Sequence, residues 1–147
     1  MASVNRFPKA LEVTPLAPYR LRVKWDTGET LEVDIEEKLR SVPALSPILE
    51  PDVFRSVHIA EWGGSIEWFD TEFGEDNLYA WTREQMGEPS HEMFFEWMQR
   101  NGLTLSAAAE ALGMSRRMVT YYRMGRKRIP KHVWLACIGW ELTRHAA

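Results

Sequence analysis

MSRRMVTYYRMGRKRIPK, residues 114–131, carries seven basic residues and no acidic one, in a chain whose formal net charge is −3. Its surroundings are ordered for helices. Thr104 can cap a helix over Leu105–Leu112, where Ala107, Ala108, Ala109 and Ala111 permit close packing. Gly113 supplies a tight turn, and Ser115 caps a further helix over about Arg116–Met124, ended by Gly125. Pro130 suits the first position of a last helix, where its missing N–H is not needed. A support helix, a turn and a second helix with a basic exposed face is the order a helix-turn-helix requires.

Working upstream, Ser90 reads as the cap of another helix that places Met93, Phe94, Trp97 and Met98 on one face and stops at Gly102. Downstream, Trp134, Cys137, Ile138 and Glu141 share a face of the last helix. Residues 89–147 therefore read as an all-α domain. They carry 9 Lys/Arg against 4 Asp/Glu, a net of +5, whereas residues 1–88 carry 9 against 17, a net of −8. A sign change of that size predicts two domains with different partners, divided near Met86-Gly87-Glu88-Pro89.

The acidic half has the two-residue period of strands. Ala10–Thr14, Arg20–Trp25 and Thr30–Ile35 alternate apolar and polar residues, and Asp26-Thr27-Gly28-Glu29 is a hairpin turn between the last two. Glu36–Arg40 reads as a helical turn and the proline-rich 41–52 as irregular connection. Val57–Trp62 and Ser65–Phe69 predict a second hairpin about Gly63-Gly64, and Asp76–Thr82 a short helix. The expected fold is a small α+β domain of antiparallel hairpins followed by a helical one. Of seven tryptophans, Trp25, Trp62, Trp68 and Trp81 lie in the first domain, where they fill a small core or form a partner surface ringed by carboxylates.

Other chemistry finds little support. No apolar run approaches the ~18–20 residues of a membrane span, the N-terminus MASVNRFPKALEV lacks the apolar core of a secretory signal, and Cys137 is the single cysteine, which excludes an internal disulfide and a cysteine-based zinc cluster. A cytoplasmic location is expected. His58, His91, His132 and His145 have no metal-type spacing. Asp70, Glu72, Glu75 and Asp76 do not fit a calcium loop. Glu36 and Glu37 diverge by about 100° on a helix and cannot easily share a proton. With no catalytic set, cofactor motif or metal site, the expectation is a protein that is not an enzyme.

The residues of 104–125 resemble the phage-repressor-like (Cro/C1, XRE-type) helix-turn-helix, whose pattern is a threonine-led helix, an Ala-x-x-Leu-Gly-x-Ser turn and a recognition helix closing on glycine. Arg126–Pro130 resembles that family's basic, Ile-Pro-ended connection. The resemblance implies a lambda-repressor-like domain, double-stranded DNA as partner and a role in transcription regulation. Two positions depart from the pattern: Leu105 stands where a phosphate-touching glutamine is common, and Arg123 where a glutamate is common. The first half resembles the bacterial DUF2442 family through Tyr19-Arg20-Leu21-Arg22-Val23, the Asp26-Thr27-Gly28-Glu29 turn, Val33-Asp34-Ile35 and Phe54-Arg55-Ser56-Val57. Some members of that family resemble toxin–antitoxin partners, which implies a basic, toxin-like protein as an alternative partner of the acidic domain.

On the basic helix, Val119 and Tyr122 can face the core together, leaving Arg116, Arg117, Thr120 and Tyr121 outward as candidate base readers. Arginine bonds guanine O6 and N7 bidentately, and Thr or Tyr can meet base edges or thymine methyls. Arg126, Lys127, Arg128 and Lys131 suit phosphates, as do the helix starts at Thr104 and Ser115. The alternative is a solvated basic face, or one that meets an acidic protein. One recognition helix reads only a few base pairs, so specific binding predicts a homodimer.

Overall fold

The computed structural model describes residues 6–145; residues 1–5 of the N-terminal stretch read above, residues 146–147 and the His145 side chain lie outside that description. The chain forms two compact units, one of residues 8–82 and one of residues 83–145 joined by Arg6 and Phe7. The division falls at Thr82 and Arg83, inside a helix, not in the glycine–proline stretch at 86–89, and Arg6 and Phe7 group with the helical unit. By this division the sheet unit has 7 Lys/Arg and 15 Asp/Glu, a net of −8, so the charge contrast survives the shifted boundary.

In the sheet unit β1 (Ala10–Leu16), β2 (Arg20–Trp25) and β3 (Thr30–Asp34) form an antiparallel sheet in that order. The alternation in β2 has a direct consequence: Leu21, Val23 and Trp25 are fully buried, while Arg22 and Lys24 face water. On the water face Arg20 and Arg22 both reach Glu32 of β3, and their hydrogen bonds hold its carboxyl below the usual carboxylate range. β1 is longer than expected and carries an irregularity between Ala10 and Glu12. α1 (Glu36–Ser41) follows. The proline-rich segment read as irregular is instead a 3-10 helix over Pro43–Leu49 and a short α2 (Pro51–Phe54). Pro43 and Pro51 each open their element, where a missing N–H costs nothing, and Ile48 and Phe54 are buried by them.

The second hairpin is shorter and broader in its connection than expected. β4 (His58–Ile59) and β5 (Ile66–Trp68) pair, and β6 (Thr71–Phe73) adds a third strand within the acidic stretch from Asp70 to Asp76. Gly64 bridges to Ala10, so part of the expected turn is spent on the other sheet. α3 (Glu75–Gln85) closes the unit and extends beyond the expected Asp76–Thr82. Trp25 and Trp68 are core residues, and the Trp68 indole N–H donates to the Phe54 carbonyl at 3.0 Å.

The helical unit contains α4 (His91–Arg100), α5 (Leu105–Leu112), α6 (Arg116–Arg123) and α7 (Lys131–His145). The three expected caps form: the Ser90, Thr104 and Ser115 hydroxyls accept from the N–H of Met93, Ala107 and Met118 at 3.1, 3.0 and 3.1 Å. Phe94, Trp97, Ala108, Val119, Tyr122, Ile129, Val133 and Cys137 build the core. α4 is locked to α7 at two levels. The buried Trp97 indole donates to the Cys137 carbonyl at 2.8 Å, and Arg100 makes a two-point ion pair with Glu141 at 2.6 and 3.0 Å.

Candidate nucleic-acid interface

Gly113 has φ +67°, a left-handed conformation that a side chain would resist, and its N–H closes on the carbonyl at the end of α5. The chain thereby turns within Gly113-Met114-Ser115 and starts α6 at once. α6 packs on α4 and α5 through Val119 and Tyr122, both buried as the spacing predicted, with the Tyr122 ring 6.0 Å from that of Phe94. Burial of its ring raises the Tyr122 hydroxyl pKa. With these two anchors fixed, helical geometry leaves Arg116 and Arg117 exposed and Thr120 and Tyr121 half-buried on the opposite side.

Tyr121 is the centre of that outward face. The Arg117 Nε donates to its hydroxyl at 3.1 Å, and the Arg117 guanidinium lies 5.6 Å from the ring centre. The Lys127 ammonium lies 4.8 Å from the same ring. Two cations from two segments are thus gathered on one aromatic, a contact of roughly 0.5–1 kcal/mol each at an exposed site. Arg116 is exposed beside them, and Lys131 is exposed at the start of α7. The Thr120 hydroxyl, a candidate for base contact, donates instead to the Arg116 carbonyl at 3.0 Å, so what it presents outward is chiefly its methyl. Thr104 and Ser115 spend their acceptor oxygens on caps, which leaves their hydroxyl protons for an outside acceptor.

Three basic residues do other work. Arg126, expected as a phosphate clamp, donates to the Arg6 carbonyl at 2.5 Å and the Phe7 carbonyl at 2.7 Å. Arg128, also expected there, pairs with Glu88, which reaches the buried Arg83 at 3.6 Å. Arg123, which stands where a glutamate is common in the helix-turn-helix pattern, is half-buried with its guanidinium 3.7 Å from the centre of Phe95 and 5.9 Å from that of Phe7; desolvation lowers its pKa. The aromatic partners explain why the position does not need a carboxylate opposite. Sequence reading missed Glu88 and residues 6–7 because their partners lie about 40 and 120 positions away.

Among the described residues no cluster of three metal-ligating side chains occurs, and no helix is long and apolar enough to cross a membrane. No curated protein matches the chain. The chain is similar over 97% of its length, at 63% identity and with a TM-score of 0.91, to the crystal structure of a "Putative DNA Binding Protein" from Nitrosomonas europaea ATCC 19718, covering 92% of that chain. A family model described as "Protein of unknown function (DUF2442)" matches residues 10–84, the strands and helices of the sheet unit. On that match, which spans half of the sequence, the chain belongs to the DUF2442 family.

Proposed function

We propose that this protein binds double-stranded DNA in a sequence-dependent way and regulates transcription, with α5 and α6 acting as a repressor-like helix-turn-helix. One observation carries the reading: Arg117 and Lys127 converge on Tyr121 beside an exposed Arg116, on the face of α6 opposite its buried anchors. Arg116 and Arg117 are the base readers, with Tyr121 and the Thr120 methyl against bases or thymine methyls. Lys127, Lys131 and the helix starts at Thr104 and Ser115 meet phosphates. The DNA-binding name of the similar protein from Nitrosomonas europaea supports the assignment. A pair of chains would read half-sites about 34 Å apart, and the exposed Leu135 and Leu142 on α7 offer a face for pairing.

Titration of the full chain with duplex DNA in rising salt tests this. Neutralisation of about four to six phosphates gives a log–log slope near −4 to −5 per bound domain, and a flat response refutes the proposal.

A second, compatible reading concerns the acidic unit. Trp62 is 90% exposed and Phe69 77% exposed, against the core role of Trp25 and Trp68. Large aromatics held in water on a unit of net charge −8 favour a basic protein partner of the antitoxin–toxin kind. Trp62→Ser in the full chain should abolish co-purification of such a partner and leave DNA binding intact; unchanged co-purification refutes it.

A further inference from the structure

The outward face of the β4–β6 sheet carries one row of ionisable side chains. His58 of β4 pairs with Glu67 of β5, which pairs with Glu72 of β6, and side chains at paired positions share a face. Glu67 and Glu72 stand directly opposite each other, an arrangement that two carboxylates resist. The Ser65 hydroxyl donates to Glu72 at 2.6 Å. Residues 56–82 contain no lysine or arginine, so His58 is the side chain of that stretch that can bring a positive charge to the row.

Both nitrogens of the His58 ring meet acceptors. Nδ1 lies 3.0 Å from the Ser56 carbonyl, and Nε2 lies 3.0 Å from Glu67 Oε1. A neutral imidazole has a single N–H and can serve only one of them; the imidazolium serves both. The Ser56 carbonyl foremost, and the Glu67 carboxylate after it, hold the ring's pKa above its ordinary value of 6.5. Around β4, Arg55 pairs with Asp52 of α2, and β1, the other strand packed on β4, has Glu12 as its one ionisable residue.

The row bears on a short ladder. β4 has two residues, and His58–Glu67 is one of its two pairs with β5, the other being Ile59–Ile66. Next to them the Ala60 N–H donates to the Ser65 carbonyl at 2.9 Å, at the base of the turn that holds the exposed Trp62. Loss of the ring proton turns one of the two acceptors toward a lone pair and leaves Glu67 and Glu72 opposite each other without the His58 charge.

We propose that His58 is a proton-operated latch: as imidazolium it fastens β4 to β5, and its deprotonation loosens the hairpin that carries Trp62. The latch is fully closed below the pH of about 6.5 at which a free imidazole titrates, and it opens as pH rises through the higher midpoint of the folded chain.

The test uses the full-length chain and two measurements over a range of pH: an NMR titration of the His58 ring, and hydrogen exchange at the Ala60 amide corrected for the intrinsic pH dependence of exchange. The amide of Leu21, fully buried in the central strand β2, is the reference. His58 should titrate above pH ~6.5, and Ala60 protection relative to Leu21 should fall by roughly two- to fivefold across that midpoint, the range of an exposed ion pair. Glu67→Gln keeps an acceptor without the charge, so the fall should move to lower pH. In His58→Gln it should vanish. A His58 midpoint at or below the ordinary value overturns the latch. So does wild-type Ala60 protection that stays flat through the midpoint, a fall that Glu67→Gln leaves in place, or one that persists in His58→Gln.

Discussion

Arg117 and Tyr121 stand one turn apart on α6, with the arginine Nε donating to the tyrosine hydroxyl at 3.1 Å. The bond fixes the plane of a guanidinium whose two terminal nitrogens remain to face outward. Bidentate recognition of guanine depends on that plane, so a side chain held in it before binding loses less freedom on contact. Tyr121→Phe keeps the ring that Lys127 covers and removes only the acceptor. The expected result is a loss of about 1 kcal/mol, fivefold or so, on the preferred duplex and almost none on a scrambled one. Competition binding checks it; an equal loss on both would make Tyr121 a backbone contact.

Arg116→Ala and Lys127→Ala should separate reading from clamping. Arg116→Ala is expected to cost about 1–3 kcal/mol on the preferred duplex and to relax its sequence preference. Lys127→Ala should weaken all duplexes alike and reduce the salt slope by about one. The same selectivity profile in both variants would refute the assignment of roles.

The elements most legible in the sequence are those fixed by local rules. Each of the three helix caps needs only a hydroxyl three residues before the N–H that it accepts, and Ser90, Thr104 and Ser115 stand at that spacing. The β2–β3 hairpin follows from period-2 alternation on either side of Gly28, and its register pairs Leu21 with Val33. Val119 and Tyr122, three apart on a short helix, were legible as anchors for the same reason. What escaped depends on partners remote in sequence. Nothing near Arg126 announces that two carbonyls at the start of the chain will take its guanidinium, and nothing near Arg128 points to Glu88. Charge and spacing identify a basic segment, but tertiary contacts decide which of its cations remain free.

Trp97 tests the frame beneath the interface. Its indole is fully buried and its N–H donates to the Cys137 carbonyl at 2.8 Å, joining α4 to α7. Trp97→Phe removes that bond between the two helices and shortens the ring. A loss of about 1–3 kcal/mol in denaturant unfolding is expected. DNA affinity at a temperature well below the melting midpoint should change little, since Trp97 is not on the outward face; a large affinity loss without a stability loss would contradict this placement.

Cys137 gives a dependence on pH. Burial pushes its thiol pKa up to about 12, from an ordinary value near 9. The folded chain then keeps a proton that the unfolded chain releases above pH ~9, so this contribution to stability is complete below that pH and is lost as pH rises toward 12. Cys137→Ala, measured beside the wild type, should flatten the decline in stability between those limits. A thiol reagent at pH 8 should label the native chain far more slowly than the chain in denaturant; equal rates would place the thiol in solvent.

Glu88→Gln should act against the usual direction of a surface change. Glu88 pairs with Arg128 of the basic segment and with the buried Arg83, so it withholds one cation from the candidate interface while offsetting another inside the unit. Glutamine keeps an acceptor oxygen for both but removes the charge. The free charge on Arg128 then adds to the basic edge, and DNA binding should tighten on all sequences with a salt slope steeper by up to about 0.9. Arg83 loses the Glu88 charge in a place with little water, so the same variant should be less stable. Tighter binding together with a lower melting midpoint identifies Glu88 as a competitor of DNA for Arg128. Weaker binding would mean that the pair orders the basic segment for contact, and Glu88 would then be no competitor of DNA.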